Sequence, residues 1–172
     1  IEPKDSFHSV ESKITINAPP EVVWQHIIRV DRISEDEHKP SFYHLMGIPR
    51  PLEATLDHEG LGGVRQGYFE DGLSFREVIS TWEPNEAVHF DIEVINREAL
   101  NAPYRQIGGQ YLAMLDAGYT LEETESGGTV LTLTSSYRMT TTFNAYGRLW
   151  ADLIVQDFQS YLLDVIKNRA ES

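Results

Sequence analysis

The order of hydrophobic patterns in this 172-residue chain predicts an α+β fold, a curved seven-stranded antiparallel sheet wrapped around a long C-terminal helix, with one or two short helices after the first strand. Three observations carry the prediction. A period-2 stretch opens the chain, six strand-like stretches separated by turn signals fill residues 52–142, and the longest helical pattern closes it.

In residues 7–17, Val10, Ser12, Ile14 and Ile16 alternate with Glu11, Lys13 and Thr15, the pattern of a half-buried strand. Ala18-Pro19-Pro20-Glu21 stops it. Proline fits the first turn of a helix, where its missing N–H would be unpaired anyway, and Glu21 suits the positive end of the helix dipole. A helix over 20–30 follows, with Val23, Trp24, Ile27, Ile28 and Val30 on an arc of roughly 160°. Residues 31–51 are charged, then aromatic, then punctuated by proline, and a short helix is expected at 40–46.

Strands are expected at 52–58, 62–70, 73–82, 86–97, 110–123 and 128–142. Glu59-Gly60, Asp71-Gly72, Glu83-Pro84-Asn85 and Ser126-Gly127-Gly128 supply the reversals, and short reversals make the sheet antiparallel. Val88, Phe90, Ile92 and Val94 alternate with His89, Asp91 and Glu93, giving one dry and one wet face. In the closing helix, 144–169, Tyr146, Trp150, Leu153, Ile154, Phe158, Tyr161, Leu162, Val165 and Ile166 span about 220°, which demands cover on more than one side. A sheet curling around one helix supplies that cover and tends to leave an interior cavity.

Composition narrows the function. With 14 Lys+Arg against 27 Asp+Glu the formal charge is −13, and no stretch concentrates cations, so nucleic acid and anionic membrane surfaces are excluded as expected partners. The absence of cysteine excludes a disulfide scaffold, a thiolate metal site and a cysteine nucleophile. No apolar run approaches a membrane span, and the expected location is cytoplasmic. The chain starts at Ile1 without a signal-peptide pattern, which fits a processed protein or a segment of a longer one and leaves room for an upstream anchor. With no repeat and no linker, the reading is one domain over 1–172, its core at about 7–170.

The opening ITINAPPEVVWQHI, the central GVRQGYFEDGLSFREVISTWEPNEAVHFDI and the closing helix resemble the START-like, Bet v 1-like superfamily (SRPBCC), closest to its polyketide cyclase/dehydrase and lipid transport branch. The resemblance covers about residues 12–167. It implies a helix-grip fold with a hydrophobic cavity for lipids, polyketides, sterols or similar molecules, in a group that includes transporters, cyclases and proteins without known activity.

Chemistry in such a cavity needs a few inward polar groups. Glu77 alternates with Phe75 and Ile79, so a dry face there makes it a buried carboxylate, and Arg65 on the preceding strand is its natural partner; these two are the candidate catalytic residues. Register decides whether they meet. A two-residue turn at Asp71-Gly72 sets Arg65 opposite Val78 with Glu77 on the other face, whereas a three-residue turn with a bulge sets it opposite Ile79, on Glu77's side. Asp157 interrupts the apolar arc of the last helix, and either touches ligand or caps a loop. Tyr43, His44, Tyr68, Phe75, Phe90, Trp150, Ile154 and Tyr161 complete the expected ligand-binding set. Tyr146 is a further phenol, His26 reads as surface, and His38 flanks the aromatic stretch with His44; the His spacing fits no zinc motif, so no metal is expected. No nucleophile elbow, phosphate loop or dinucleotide fingerprint occurs, and no cofactor is expected. The expected function is binding of a small hydrophobic molecule, with a cofactor-independent polyketide cyclase, aromatase or dehydratase as the alternative; a soluble interaction domain of a larger, membrane-anchored protein is the third reading, and a homodimer is a separate expectation about partners.

Overall fold

Seven strands and three α-helices account for most of the residues described in the computed structural model, which are 2–95, 112–142 and 144–172. The first strand, β1 (Lys4–Ile16), starts three residues before the predicted one. Helix α1 (Pro20–Ile28) buries Val23, Trp24, Ile27 and Ile28, with Pro20 in its first turn and Glu21 beside it. It ends two residues before the predicted end, because Arg29 is extended and Val30 exchanges backbone hydrogen bonds with Ala54 at 2.9 and 2.8 Å. Trp24 meets Trp82 edge-on, ring centroids 5.1 Å apart, tying α1 to the sheet.

The predicted helix at 40–46 contracts to α2 (Phe42–Leu45), and a single 3-10 turn, Glu35–Glu37, precedes it. That turn is held by a reciprocal Ser34–Glu37 capping box, the local means of satisfying backbone donors that a short acidic segment would otherwise leave unpaired.

The remaining strands are β2 (Pro51–Leu56), β3 (Val64–Phe69), β4 (Ser74–Glu83), β5 (Ala87–Ile95), β6 (Leu112–Glu123) and β7 (Thr129–Thr141). They form one antiparallel sheet in the order β1-β7-β6-β5-β4-β3-β2, the curved sheet of a helix-grip fold. The predicted strand ends at 96–97 and 110–111 lie outside the described residues. In β5 the alternation holds: Val88 and Phe90 are buried while His89 and Asp91 are exposed.

Helix α3 (Asn144–Ala170) packs on β1, β7, α1 and α2. Its Leu163 and Ile166 join Ile16, Val23, Ile27, Val88 and Leu131 in the main core. Tyr161 and Val165 join Val30, Ile33, Tyr43 and Ile48. The predicted 220° arc is not covered along its whole length. Tyr146, Trp150 and Leu153 are 68, 37 and 43% exposed. The physical reason is the small-residue edge Gly147-Ala151-Val155: the helix meets the sheet there, against Met139 and Tyr137, which turns the larger side chains outward.

Gln159 fixes the helix to the sheet. Fully buried, its amide donates to the Val10 carbonyl at 2.9 Å and the Ser135 hydroxyl at 3.0 Å, and its carbonyl accepts from Ser12 at 2.7 Å.

Candidate functional site

The site begins with the β3–β4 connection. Glu70, Asp71 and Gly72 form a 3-10 turn in which Asp71 and Gly72 both take positive φ, 60° and 79°. Gly tolerates this freely and Asp better than most residues, because its short polar side chain bonds locally. The turn pairs Tyr68 with Ser74 and sets Arg65 directly opposite Glu77. Neither register expected from the sequence is the observed one. Arg65 and Glu77 nevertheless share a face and form an ion pair, their side chains only 8 and 14% exposed.

That face lines a cavity of about 290 Å³ between the sheet and α3. Phe69, Phe75, Phe90, Ile92, Leu112, Met114, Ile154, Phe158 and Leu162 make its wall largely apolar. Arg65, Glu77, Tyr119, Glu53, Ser135 and Tyr43 are the polar residues among the described lining. The Arg65 guanidinium lies 5.0 Å from the centre of the Phe90 ring and hydrogen-bonds the Tyr119 hydroxyl as well as Glu77. Burial by itself disfavours its charge, but the Glu77 carboxylate and these hydrogen bonds outweigh that, and its pKa is raised. Burial pushes the Tyr119 phenol up, so it stays protonated at neutral pH.

Tyr119 was not foreseen, and the sheet explains why. Leu112 and Met114 face the cavity at even positions, and Ala117 and Tyr119 at odd ones, because a bulge between Met114 and Asp116 resets the alternation. Simple period-2 counting along β6 therefore breaks where the polar group lies.

The expected ligand-binding residues fall into three places. Tyr43, Phe75, Glu77, Phe90 and Ile154 line the cavity with Arg65. Asp157 and Tyr161 instead line a smaller groove of about 130 Å³ beside Ser41 and Asp164. There the Asp157 carboxylate accepts the Tyr43 backbone N–H at 2.9 Å, the loop-capping role. Tyr161 stacks on His38, and its hydroxyl contacts the His38 ring nitrogen; burial pushes the phenol up to about 12 and the imidazole down. His44, Tyr68 and Trp150 are outside both linings. His44 bonds the Ile48 carbonyl at 3.1 Å, Trp150 stacks on Phe42, and Tyr68, 36% exposed, points away because β3 turns Arg65, Gly67 and Phe69 inward. His26, in α1, is half-buried with its pKa lowered, first by burial and then by Arg169.

Among the described residues, no group of three His, Cys, Asp or Glu is placed to hold a metal ion, and no helix is long and apolar enough to cross a membrane.

No family model and no curated protein matches this sequence. Solved structures do. An uncharacterized protein from Rhizobium leguminosarum aligns over 99% of both chains with a TM-score of 0.57 at 16% identity. Ara h 8.0201, a Bet v 1 allergen, aligns over 97% of this chain and 100% of its own, with a TM-score of 0.57 at 14% identity. DynU16, from the dynemicin biosynthetic locus, aligns over 95% of this chain and 49% of its own, with a TM-score of 0.50 at 14% identity. At such identities the likeness establishes fold, and fold does not by itself carry chemistry. The chain shares the helix-grip fold with these structures.

Proposed function

We propose that this protein binds a small, predominantly apolar molecule, lipid-like or polyketide-like, in the cavity between its sheet and α3. The observation that carries the reading is the cavity itself, about 290 Å³ with an aromatic and aliphatic wall and few polar groups. A tightly packed domain leaves few voids larger than water, and pockets of this size and polarity are the usual seats of small ligands. Phe75, Phe90 and Ile154 would contact the apolar body of the ligand, and Glu77 and Tyr43 its polar end. The unit doing this is the whole segment, 1–172.

The test is native mass spectrometry of the protein purified from its host, followed by thermal shift with a panel of lipids and aromatic polyketides. A bound small molecule or a saturable stabilisation supports the reading; the absence of both overturns it.

A second reading, a cofactor-independent cyclase, aromatase or dehydratase, is favoured by one observation, the Arg65–Glu77 ion pair with Tyr119 in an otherwise dry wall. Glu77 would take a proton from carbon, and Arg65 would hold the resulting enolate oxygen. Loss of turnover of a linear polyketide in Glu77→Gln, with the fold retained, separates this reading from pure binding.

A further inference from the structure

The polar end of the cavity has two properties that its apolar walls do not share. Its cation is already compensated: Arg65 is the one cation among the described lining residues and Glu77 is paired with it, while Glu53 adds a further carboxylate to the wall. A carboxylate carried in by a ligand would therefore meet no uncompensated cation in a low-dielectric space, an arrangement that penalises buried charge. In addition, the ion pair uses only one carboxylate oxygen. Arg65 donates to Glu77 Oε2, and among the described residues Oε1 has no hydrogen-bond partner. Gly67, which also lines the cavity, leaves the space beside Oε1 free: a Cβ built at position 67 would stand 3.9 Å from Oε1, 3.7 Å from the Phe69 ring and 4.0 Å from Phe75 Cβ.

From these two properties we infer that the cavity selects uncharged ligands whose inner end carries an O–H or N–H donor, a phenol or alcohol that bonds Glu77 Oε1 over the bare backbone of Gly67, and that it rejects carboxylates. The inference rests on the binding reading above and narrows it to a ligand class. Glu77 supplies the acceptor and cancels the Arg65 charge, and Gly67 provides the slot. An anionic acyl chain, the common cargo of apolar cavities with a free cation, is disfavoured here by the same pair.

The experiment compares 2-naphthol, 2-methoxynaphthalene and 2-naphthoate, which share an aromatic body and differ in donor and charge, by calorimetry near neutral pH. A hydrogen bond to a charged acceptor is worth roughly 10- to 100-fold in affinity, so 2-naphthol should bind at least about tenfold more tightly than either of the others. Glu77→Gln keeps the shape and leaves Arg65 uncompensated, and should reverse the order of naphthol and naphthoate. Gly67→Ala meets only ordinary van der Waals contacts and keeps the fold, but should erase the advantage of naphthol over its methyl ether. If naphthoate or the ether binds wild type as tightly as naphthol, the inference is overturned and the cavity reading stands. If none of the three binds, both fall. The wild-type ranking decides the matter even where a variant fails to fold.

Discussion

The side-chain carbonyl of Gln159, at the centre of α3, accepts a 2.7 Å hydrogen bond from Ser12 in β1, across 147 residues of sequence. With the two bonds that its amide donates, this sets how far the helix stands from the sheet, and so how much room is left beside Ile154 and Phe158.

Gln159→Leu keeps the volume and strands the Ser12 and Ser135 hydroxyls against an apolar side chain. Burying polar groups without partners costs about 1–3 kcal/mol. Urea unfolding should show a loss of that size with an unchanged m-value, and Gln159→Glu, which adds a buried charge, should lose more.

Glu37 links the 3-10 turn to the end of α3 through Arg169, whose Nε donates to the carboxylate at 2.7 Å. The hydrogen bond from Arg169, with smaller help from Ser34, lowers its pKa from 4.5 to about 2. A carboxylate depressed in the folded state stabilises it fully above its unfolded pKa, and that contribution disappears as the pH falls from about 4.5 through about 2. Carbon-detected NMR titration should place the Glu37 midpoint near 2 in the wild type, and in Arg169→Met should return it toward 4.5. An unshifted wild-type midpoint would remove the clamp from the account.

Asp157→Ala leaves the Tyr43 backbone N–H without its acceptor. A four-residue helix such as α2 has little stability of its own, since nucleation is unfavourable and so few residues add almost no propagation. The expected outcome is faster hydrogen exchange at Tyr43 and its neighbours, by roughly 10-fold or more if the lost bond is worth at least about 1.4 kcal/mol, with exchange in β4 and β5 unchanged. Unchanged protection at Tyr43 would show that packing of the Tyr43 ring on Phe158 and Tyr161 suffices.

Much of the fold was legible because its signals are local and repeated. The alternation in β5 and the apolar spacing of α1 each follow from one face meeting the core, and both are found where the pattern puts them. The site was harder to read because it depends on departures from those periods. The positive φ of Asp71 shifts the β3–β4 register by one residue from the simple turn, and that shift brings Arg65 opposite Glu77. The bulge before Asp116 turns Tyr119 inward. Along α3, Gly147 and Ala151 draw the helix toward β7 and expose Tyr146, although a helical wheel weighs large apolar residues above small ones. Asp157 attracted notice as a polar interruption of the arc, whereas Gln159, the fully buried one, gave no sequence pattern of its own.

The central claim, that the cavity takes up a small apolar molecule, is tested most directly by titrating wild type and Ala117→Trp with neutral 1-aminoanthracene and following its fluorescence. Ala117 lines the cavity, and an indole there would fill much of its space. The account predicts saturable one-to-one binding by wild type and none by the variant, with both proteins showing a cooperative unfolding transition. Equal binding by the two, or no binding by the wild type, would contradict it.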